Sequence, residues 1–127
     1  MGYRSDVSIM CTKKVWDLLN DSMANYNEKN EEYSPFKPHS IKTDGENYLL
    51  QWFDVKWYSN FEDVQSVEKV LNKVGDEHDD DEDYAYKQIL IGEDGATNEY
   101  GNSAGFDLFD IFYVVPQLEG TDTFEEI

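Results

Sequence analysis

Seven of the eight residues at positions 76–83 carry carboxylates, and the exception is His78. The seven are Asp76, Glu77, Asp79, Asp80, Asp81, Glu82 and Asp83. Carboxylate oxygens bind Ca²⁺ and Mg²⁺, but this run lacks the spaced ligands, the glycine and the closing glutamate of an EF-hand loop. We therefore expect a solvated loop that binds cations weakly, with no dedicated metal site. Its seven carboxylates are candidate contacts for a cationic partner.

Cys11 and His39 are the residue types of a thiol nucleophile and its general base. Sequence distance does not establish contact between them, and His39 follows Pro38 without an evident carboxylate or thiol partner. Cys11 alternates with Val7 and Ile9, so a small core residue is the better interpretation. The sequence therefore gives no positive support for an enzyme.

Motifs for phosphate and cofactor binding are missing from the sequence. Four glycines lie in predicted turns, and no lysine follows them as a phosphate-binding loop requires. They are Gly92, Gly95, Gly101 and Gly105. We predict that the protein uses no cofactor. The single cysteine cannot form an internal disulfide, which favours a reducing compartment.

An aromatic stretch at residues 48–58, YLLQWFDVKWY, alternates as a central strand does. One face carries Leu49, Phe53, Val55 and Trp57, with Gln51 as its polar member, and we predict that it faces the core. The other face carries Tyr48, Leu50, Trp52, Asp54, Lys56 and Tyr58. We expect Tyr48, Trp52 and Tyr58 to be structural or to form a patch that contacts a partner.

Further elements follow from the periodicity on either side of this strand. Residues 3–11 alternate as a strand, Thr12 can cap a helix, and residues 40–43 pair with the central strand through the Asp44–Gly45 turn. The apolar positions of the first helix are Val15, Trp16, Leu19, Met23 and Tyr26, spaced by three or four. Residues 34–38 contain two prolines and form a connection.

The second helix is predicted from a stripe at Phe61, Val64, Val67, Leu71 and Val74. Ser59 and Glu62 have capping-box spacing at its start, and Gly75 fits its C-terminus. After the acidic run, residues 84–92 alternate as a strand. Residues 97–105 are a loop or a short edge strand, and residues 108–115 are predicted as a final strand that ends at Pro116.

The element order β-α-β-β-α-β, with one further strand, is that of ferredoxin-like α+β folds. Such a fold places two helices on one face of an antiparallel sheet and leaves the other face open. The length of 127 residues fits one domain. We predict that residues 1–116 form this domain and that residues 117–127 form a loose acidic tail.

Net charge limits the classes of partner. Ten basic residues against 28 acidic residues give −18, and removing the seven acids of the run still leaves −11 (−18 + 7). Direct binding to nucleic acid needs cations, so we exclude it, and we infer instead a cationic protein partner. The sequence has no apolar run of about 18 residues and no signal-peptide pattern, which predicts a cytoplasmic protein that does not enter a membrane.

The opening GYRSDV, at residues 2–7, resembles small, mostly uncharacterised proteins of phages and prophages. The resemblance implies a setting in which acidic proteins antagonise host defence, as DNA-mimic anti-restriction and anti-CRISPR proteins do. Our hypothesis is a non-enzymatic inhibitor that binds a cationic, nucleic-acid-handling host protein. The alternative is an acidic immunity protein or antitoxin that caps a basic toxin, since it needs the same electrostatics.

Overall fold

The computed structural model describes residues 3–109, 114–115, 117–118 and 125–127. The first four elements are strand β1 (Ser5–Thr12), helix α1 (Lys13–Lys29) and the hairpin of β2 (Ser40–Thr43) with β3 (Asn47–Val55). Helix α2 (Glu62–Glu77) and a 3-10 turn (Glu82–Tyr84) lead to a second hairpin, β4 (Tyr86–Gly92) with β5 (Thr97–Gly101). The last described elements are helix α3 (Ser103–Leu108) and three two-residue strands, β6 (Val114–Val115), β7 (Gln117–Leu118) and β8 (Glu125–Glu126).

Six of the strands form one antiparallel sheet in the order β5-β4-β1-β3-β2-β8. The first β-α-β-β-α-β elements give the central order β4-β1-β3-β2, in which the two helices connect strands that are not neighbours. The predicted ferredoxin-like α+β fold is therefore confirmed. β5 realises the edge-strand alternative for residues 97–105, and β8 adds a second short strand at the opposite edge.

The main core lies between the sheet and the two long helices. The buried side chains of α1 and α2 recur every three or four residues, as the sequence predicts for helices. They are Val15, Leu19, Met23, Val64, Val67, Leu71 and Val74. The strand side of this core includes Val7, Ile9 and Cys11, all fully buried. The prediction that these three residues share the core face of β1 is therefore confirmed.

The predicted face assignment of the central strand is wrong for the residues that precede a bulge, and it is confirmed for Val55 and Trp57 beyond it. Ser5 pairs with Val55 but Val7 pairs with Trp52, so β3 has one extra residue between the two pairs. Asp54 has a φ of 53° in this bulge. Trp52 is therefore buried on the helix side, and Phe53 is 45% exposed. Beyond the bulge the parity reverses, so that Val55 and Trp57 return to the helix side.

The second face of the sheet is partly covered, contrary to the open face that the fold class predicts. Met10, Leu49 and Ile89 are buried there together with Ala104 of α3 and Phe109. Close packing of α3 against β4 requires Gly105, because a Cβ at that position would lie 1.8 Å from the carbonyl oxygen of Tyr86. The short helix is thus fitted tightly onto the strand.

The predicted ends of α2 are also corrected. Ser59 does not cap the helix, since its hydroxyl donates to Glu68 at 3.0 Å and the helix begins at Glu62, after Phe61. The helix continues past Gly75 to Glu77. At the start of α1, Thr12 occupies the cap position, but its hydroxyl donates to the carbonyl of Asp83 at 2.6 Å. The Ser59 and Thr12 hydroxyls, which the local sequence predicts as helix caps, instead form hydrogen bonds with residues distant in the sequence.

The C-terminal part differs from the predicted strand and loose tail. Leu108 ends helix α3, residues 110–113 lie outside the described residues, and Val114–Val115 pairs with Gln117–Leu118 outside the main sheet. Glu125–Glu126 pairs with β2. Glu126 also accepts a hydrogen bond from the Ser40 hydroxyl at 2.8 Å, so the described end of the chain is held against the sheet.

Candidate functional site

The acidic run of residues 76–83 leaves the end of α2 and leads into β4. Asp76 and Glu77 belong to the last turn of the helix, and Glu82 and Asp83 to the 3-10 turn. All seven carboxylate side chains are exposed, as expected of a solvated segment. The segment is nevertheless ordered by contacts to the rest of the chain, and these contacts involve only some of its carboxylates.

Asp79 ties the run to helix α3. Its carboxylate accepts hydrogen bonds from the backbone N of Ser103 at 3.0 Å and from the hydroxyl of Ser103 at 2.7 Å. The backbone N of Ala104 donates to the Asp79 carbonyl at 2.8 Å. Hydrogen bonds to the charged form favour it, so the bonds from Ser103 lower the pKa of Asp79 below its usual range.

Two further carboxylates of the run have partners. Asp81 accepts from the backbone N of Asp83 at 3.0 Å and lies 3.6 Å from the His78 ring nitrogen Nδ1. Asp83 forms an ion pair with Lys14 at 3.5 Å. These contacts fix the turn to itself and to the start of α1.

The buried side chain of Asn102 anchors the acidic run to the rest of the fold. Its side-chain nitrogen donates to the carbonyls of His78 at 3.0 Å and Tyr84 at 2.6 Å. Its side-chain oxygen accepts from the backbone N of Gly105 at 2.8 Å and of Tyr86 at 3.2 Å. Since Asn102 is only 1% exposed, this one amide joins the two ends of the run to β4 and α3 inside the protein.

Four carboxylates remain, Asp76, Glu77, Asp80 and Glu82, and we call them the acidic end. Within the described residues none of the four has a hydrogen bond or an ion pair. Two of them stand in the last turn of α2, where no basic residue is present. A helix C-terminus carries partial negative charge from its unpaired carbonyls, so the fold places these carboxylates where the potential is already negative. Such a surface attracts cations and repels anions.

Of the three aromatic residues expected to be structural or to form a partner patch, Trp52 is structural, and Tyr48 and Tyr58 are partly exposed. Trp52 is 1% exposed and stacks on Phe36 with 5.7 Å between ring centroids. Tyr48 is half-buried and stacks on Trp16, while Tyr58 packs against Phe61. The bulge in β3 explains the correction for Trp52, because residues that precede it face the helices.

A different group of exposed apolar side chains lies on β5 and α3. Tyr100 of β5 is 53% exposed, and Phe106 and Leu108 of α3 are 40% and 43% exposed. Helix α3 is tied to the acidic run through the contacts of Asp79 with Ser103. Tyr100 and Phe106 also line a cleft of about 630 Å³ between α2 and the β4–β5 hairpin. Sequence reasoning missed this group because residues 97–105 had no clear periodicity and Leu108 was assigned to a strand.

We call this cleft the β5 cleft, and both aromatic and acidic side chains line it. Its remaining lining residues are Trp57, Ser59, Glu68, Leu71, Asn72, Tyr86, Gln88, Leu90, Glu99 and Gly101. Gln88 is 2% exposed, and its side-chain nitrogen has no hydrogen-bond partner within the described residues. A polar residue at a buried strand position was a visible signal in the sequence. The cleft thus combines aromatic contact area with the carboxylates of Glu68 and Glu99.

Cys11 and His39 are separated by the fold. Cys11 is fully buried and pairs with Tyr48 in β3, and burial raises the pKa of its thiol. His39 accepts a hydrogen bond at Nδ1 from the backbone N of Phe53 at 2.9 Å. Five residues along a strand span about 17 Å, so Tyr48 and Phe53 place the two groups far apart. They do not form a nucleophile and base.

Two further findings concern metal ions and membranes. In the ranges that the structure describes, no three His, Cys, Asp or Glu side chains are grouped so that they could hold a metal ion. Over the same ranges, every helix is too short or too polar to cross a bilayer.

In comparisons with known proteins, no family model, no curated protein and no solved structure matches the chain.

Proposed function

We propose that the protein is a non-enzymatic inhibitor of the phage type, which binds a cationic, nucleic-acid-handling host defence protein. The observation that carries the proposal is the acidic end. Its four exposed carboxylates have no partner within the described residues, and they are mounted on an ordered frame at the negative end of α2. A cationic groove that binds phosphates offers the complementary charge.

The fixed frame supports mimicry of nucleic acid better than net charge alone does. Asp79, Asp81 and Asp83 hold the turn in place through their own contacts, so the neighbouring carboxylates are presented at defined positions. Complementary charges that are ordered before association lose less conformational entropy on binding. Long-range attraction between opposite charges also raises the association rate.

Exposed aromatic side chains on β5 and α3 supply the apolar contact that charge does not. Tyr100 and Phe106 are both more than a third exposed and border the β5 cleft. Aromatic residues are enriched among the positions that dominate binding energy in protein interfaces. We infer that the partner contacts the acidic end with basic residues and covers Tyr100 and Phe106 with apolar ones.

The proposal is tested in two steps. Tagged protein captures partners from lysate of a candidate bacterial host, and mass spectrometry identifies them. Each purified partner is then loaded with a fluorescent DNA or RNA duplex, and the protein is titrated in at 50 and 200 mM NaCl. We expect displacement of the duplex, with an affinity that falls at least about tenfold between the two salt concentrations because the charges are screened.

Matched charge variants decide whether position or bulk charge matters. One variant neutralises the acidic end with Asp76→Asn, Glu77→Gln, Asp80→Asn and Glu82→Gln. The control neutralises four exposed acids on and after α1 with Asp21→Asn, Glu28→Gln, Glu31→Gln and Glu32→Gln. Both variants change the net charge from −18 to −14 (−18 + 4). We expect the first to lose association rate and the control to retain it.

Two outcomes contradict the proposal. One is binding that is insensitive to salt and leaves the duplex on the partner. The other is equal loss of binding in both charge variants. A captured basic toxin that is encoded beside this chain and does not handle nucleic acid would instead favour the immunity protein or antitoxin.

A further inference from the structure

A second cleft, of about 640 Å³, lies at the other end of α2 from the acidic run. It is bordered by the loop of residues 35–39, the end of β3 and the start of α2, and we call it the α2 cleft. The residues that line it are Arg4, Pro35, Phe36, Lys37, Pro38, His39, Trp52, Asp54, Val55, Lys56, Trp57, Phe61, Asp63 and Val64. Its volume is that of a site for a small organic molecule.

The walls of the α2 cleft are rigid and aromatic. The side-chain nitrogen of Asn27 donates to the carbonyl of Phe36 at 3.0 Å, and its oxygen accepts from the backbone N of Phe36 at 2.7 Å. This pair of bonds clamps the loop to α1. Phe36 then stacks on Trp52, whose ring centroid lies 5.0 Å from that of Trp57. The cleft is therefore formed before any ligand arrives.

Positive charge is concentrated in the α2 cleft, in contrast to the rest of the protein. Three of its lining residues, Arg4, Lys37 and Lys56, are basic, out of ten in the whole chain. Two of its lining residues are acidic, out of 28. One of these, Asp54, is held by Arg4 through its carbonyl at 2.9 Å and its carboxylate at 3.9 Å. Within the described residues, Lys37 and Lys56 have no ion pair.

The wall of the α2 cleft contains two buried indole N–H groups. Trp52 and Trp57 are 1% and 8% exposed, and neither indole nitrogen has a hydrogen-bond partner within the described residues. His39 uses Nδ1 as an acceptor, so its proton in the neutral ring is on Nε2. In the first turn of α2, the Asp63 carboxylate accepts a hydrogen bond from the backbone N of Val64 at 2.7 Å. Because the two indole N–H groups are buried in the wall, the groups that favour a negatively charged ligand are the lysines Lys37 and Lys56.

We propose that the α2 cleft binds a small aromatic oxyanion, in which a phosphate or carboxylate group is joined to a flat ring. The oxyanion pairs with Lys37 and Lys56, and the ring packs against the exposed face of Phe61 and the edge of Phe36. The Trp52 and Trp57 indoles lie in the wall and respond to the ligand. This site is separate from the acidic end, so it does not depend on the proposed function.

Two pairs of probes test the site, and each pair differs in the presence of the anion. Adenosine 5′-monophosphate is compared with adenosine, and benzoate with benzamide. Binding is followed by the indole N–H resonances of ¹⁵N-labelled full-length protein. We expect the signals of Trp52 and Trp57 to shift saturably with at least one anion while Trp16, which stacks on Tyr48 elsewhere, stays in place. The neutral member should bind at least about tenfold more weakly, because it lacks the charge-assisted contacts.

A matched pair of double variants provides the control. Lys37→Gln with Lys56→Gln removes the two basic residues that the proposal uses. Lys69→Gln with Lys73→Gln removes two exposed lysines of α2 that do not line the cleft. We expect about tenfold weaker anion binding in the first and less than twofold change in the second. The proposal is overturned if neither anion shifts Trp52 and Trp57, if the neutral probes bind equally well, or if both double variants lose binding equally.

Discussion

The carboxylate of Asp79 accepts two hydrogen bonds from Ser103, one from its backbone N at 3.0 Å and one from its hydroxyl at 2.7 Å. The two residues are 24 positions apart, so this contact joins the acidic run to α3 across the fold. Among the described residues, the run thus contains carboxylates that have structural contacts and carboxylates that have none. Asp80, the next residue, belongs to the second group.

The lowered pKa of Asp79 predicts a pH-dependent contribution to stability. A carboxyl group whose pKa is lower in the folded chain stabilises the fold above its unfolded pKa, which is about 3.9 for aspartate. This stabilisation is lost as the pH falls through the lower, folded pKa. We therefore expect Asp79→Asn to lower the melting temperature above about pH 5, with a difference from wild type that narrows below about pH 4.

The measurement is thermal unfolding of wild type and Asp79→Asn between about pH 3 and pH 7. Asp80→Asn is the matched control, because it removes a neighbouring charge that has no partner within the described residues. A difference between wild type and Asp79→Asn that does not change with pH would show that the hydrogen bonds to Ser103 do not favour the charged form.

Asn102 is predicted to be among the most sensitive polar residues of the fold. Asn102→Ala removes the partner of the Tyr84 carbonyl and of two backbone N–H groups, whereas the His78 carbonyl keeps the backbone N of Asp81 at 3.3 Å. Each unsatisfied group costs about 1–3 kcal/mol. We expect a loss of about 3–5 kcal/mol in the free energy of unfolding, measured with denaturant. The control is Asn98→Ala at an exposed position of β5, with a change within about 0.5 kcal/mol. A loss below about 1 kcal/mol for Asn102→Ala would mean that solvent replaces the amide.

The sequence was sufficient to predict the order of the six main elements, because each has its own local period. Val7, Ile9 and Cys11 alternate as strand residues do, and the α2 stripe from Val64 to Val74 repeats at three or four. The ferredoxin-like arrangement follows from this order. The predictions that failed concern elements whose structure depends on residues distant in the sequence. Helix α3 contains Gly105 and only six residues, and it is held by Asp79 and Asn102 rather than by its own propensity.

The acidic run was visible in the sequence, but its division into structural and free carboxylates was not. Only the fold shows that Asp79, Asp81 and Asp83 have partners, while the acidic end has none in the part of the chain that the structure describes. The facing of Tyr48 and Trp52 has another explanation. The extra residue in β3 gives the residues before and after it opposite parity, so Tyr48 and Trp52 share the helix side with Val55 and Trp57, and no local pattern marks the bulge at Asp54.

Trp52 and Phe53 are neighbours whose substitutions test this bulge. Trp52 is 1% exposed and Phe53 is 45% exposed. We expect Trp52→Ala to lower the free energy of unfolding by about 3–5 kcal/mol, since it removes a buried aromatic from the main core. Phe53→Ala should cost less than about 1 kcal/mol, because much of its ring already contacts solvent. Denaturant unfolding of both variants measures the two losses. A larger loss for Phe53→Ala than for Trp52→Ala would indicate a strand without the bulge.

The two ends of α2 predict opposite effects from the same substitution. Glu77 stands at the C-terminal end, where the helix carries partial negative charge, and Glu62 stands in the first turn, where the charge is positive. Glu77→Gln should therefore raise the free energy of unfolding by a few tenths of a kcal/mol, and Glu62→Gln should lower it by a similar amount. Both side chains are exposed, so neither change disturbs packing.

Denaturant midpoints at low ionic strength measure both effects, and added salt should reduce both because it screens charge. Adding Asp76→Asn to Glu77→Gln should increase the gain, since Asp76 is in the same last turn. The same double variant should also weaken binding to the partner. Stability that rises as binding falls is expected where charges are kept for binding at the expense of the fold. If the double variant is less stable than wild type, the carboxylates of Asp76 and Glu77 stabilise the helix. Their lack of partners within the described residues would then not support a binding surface.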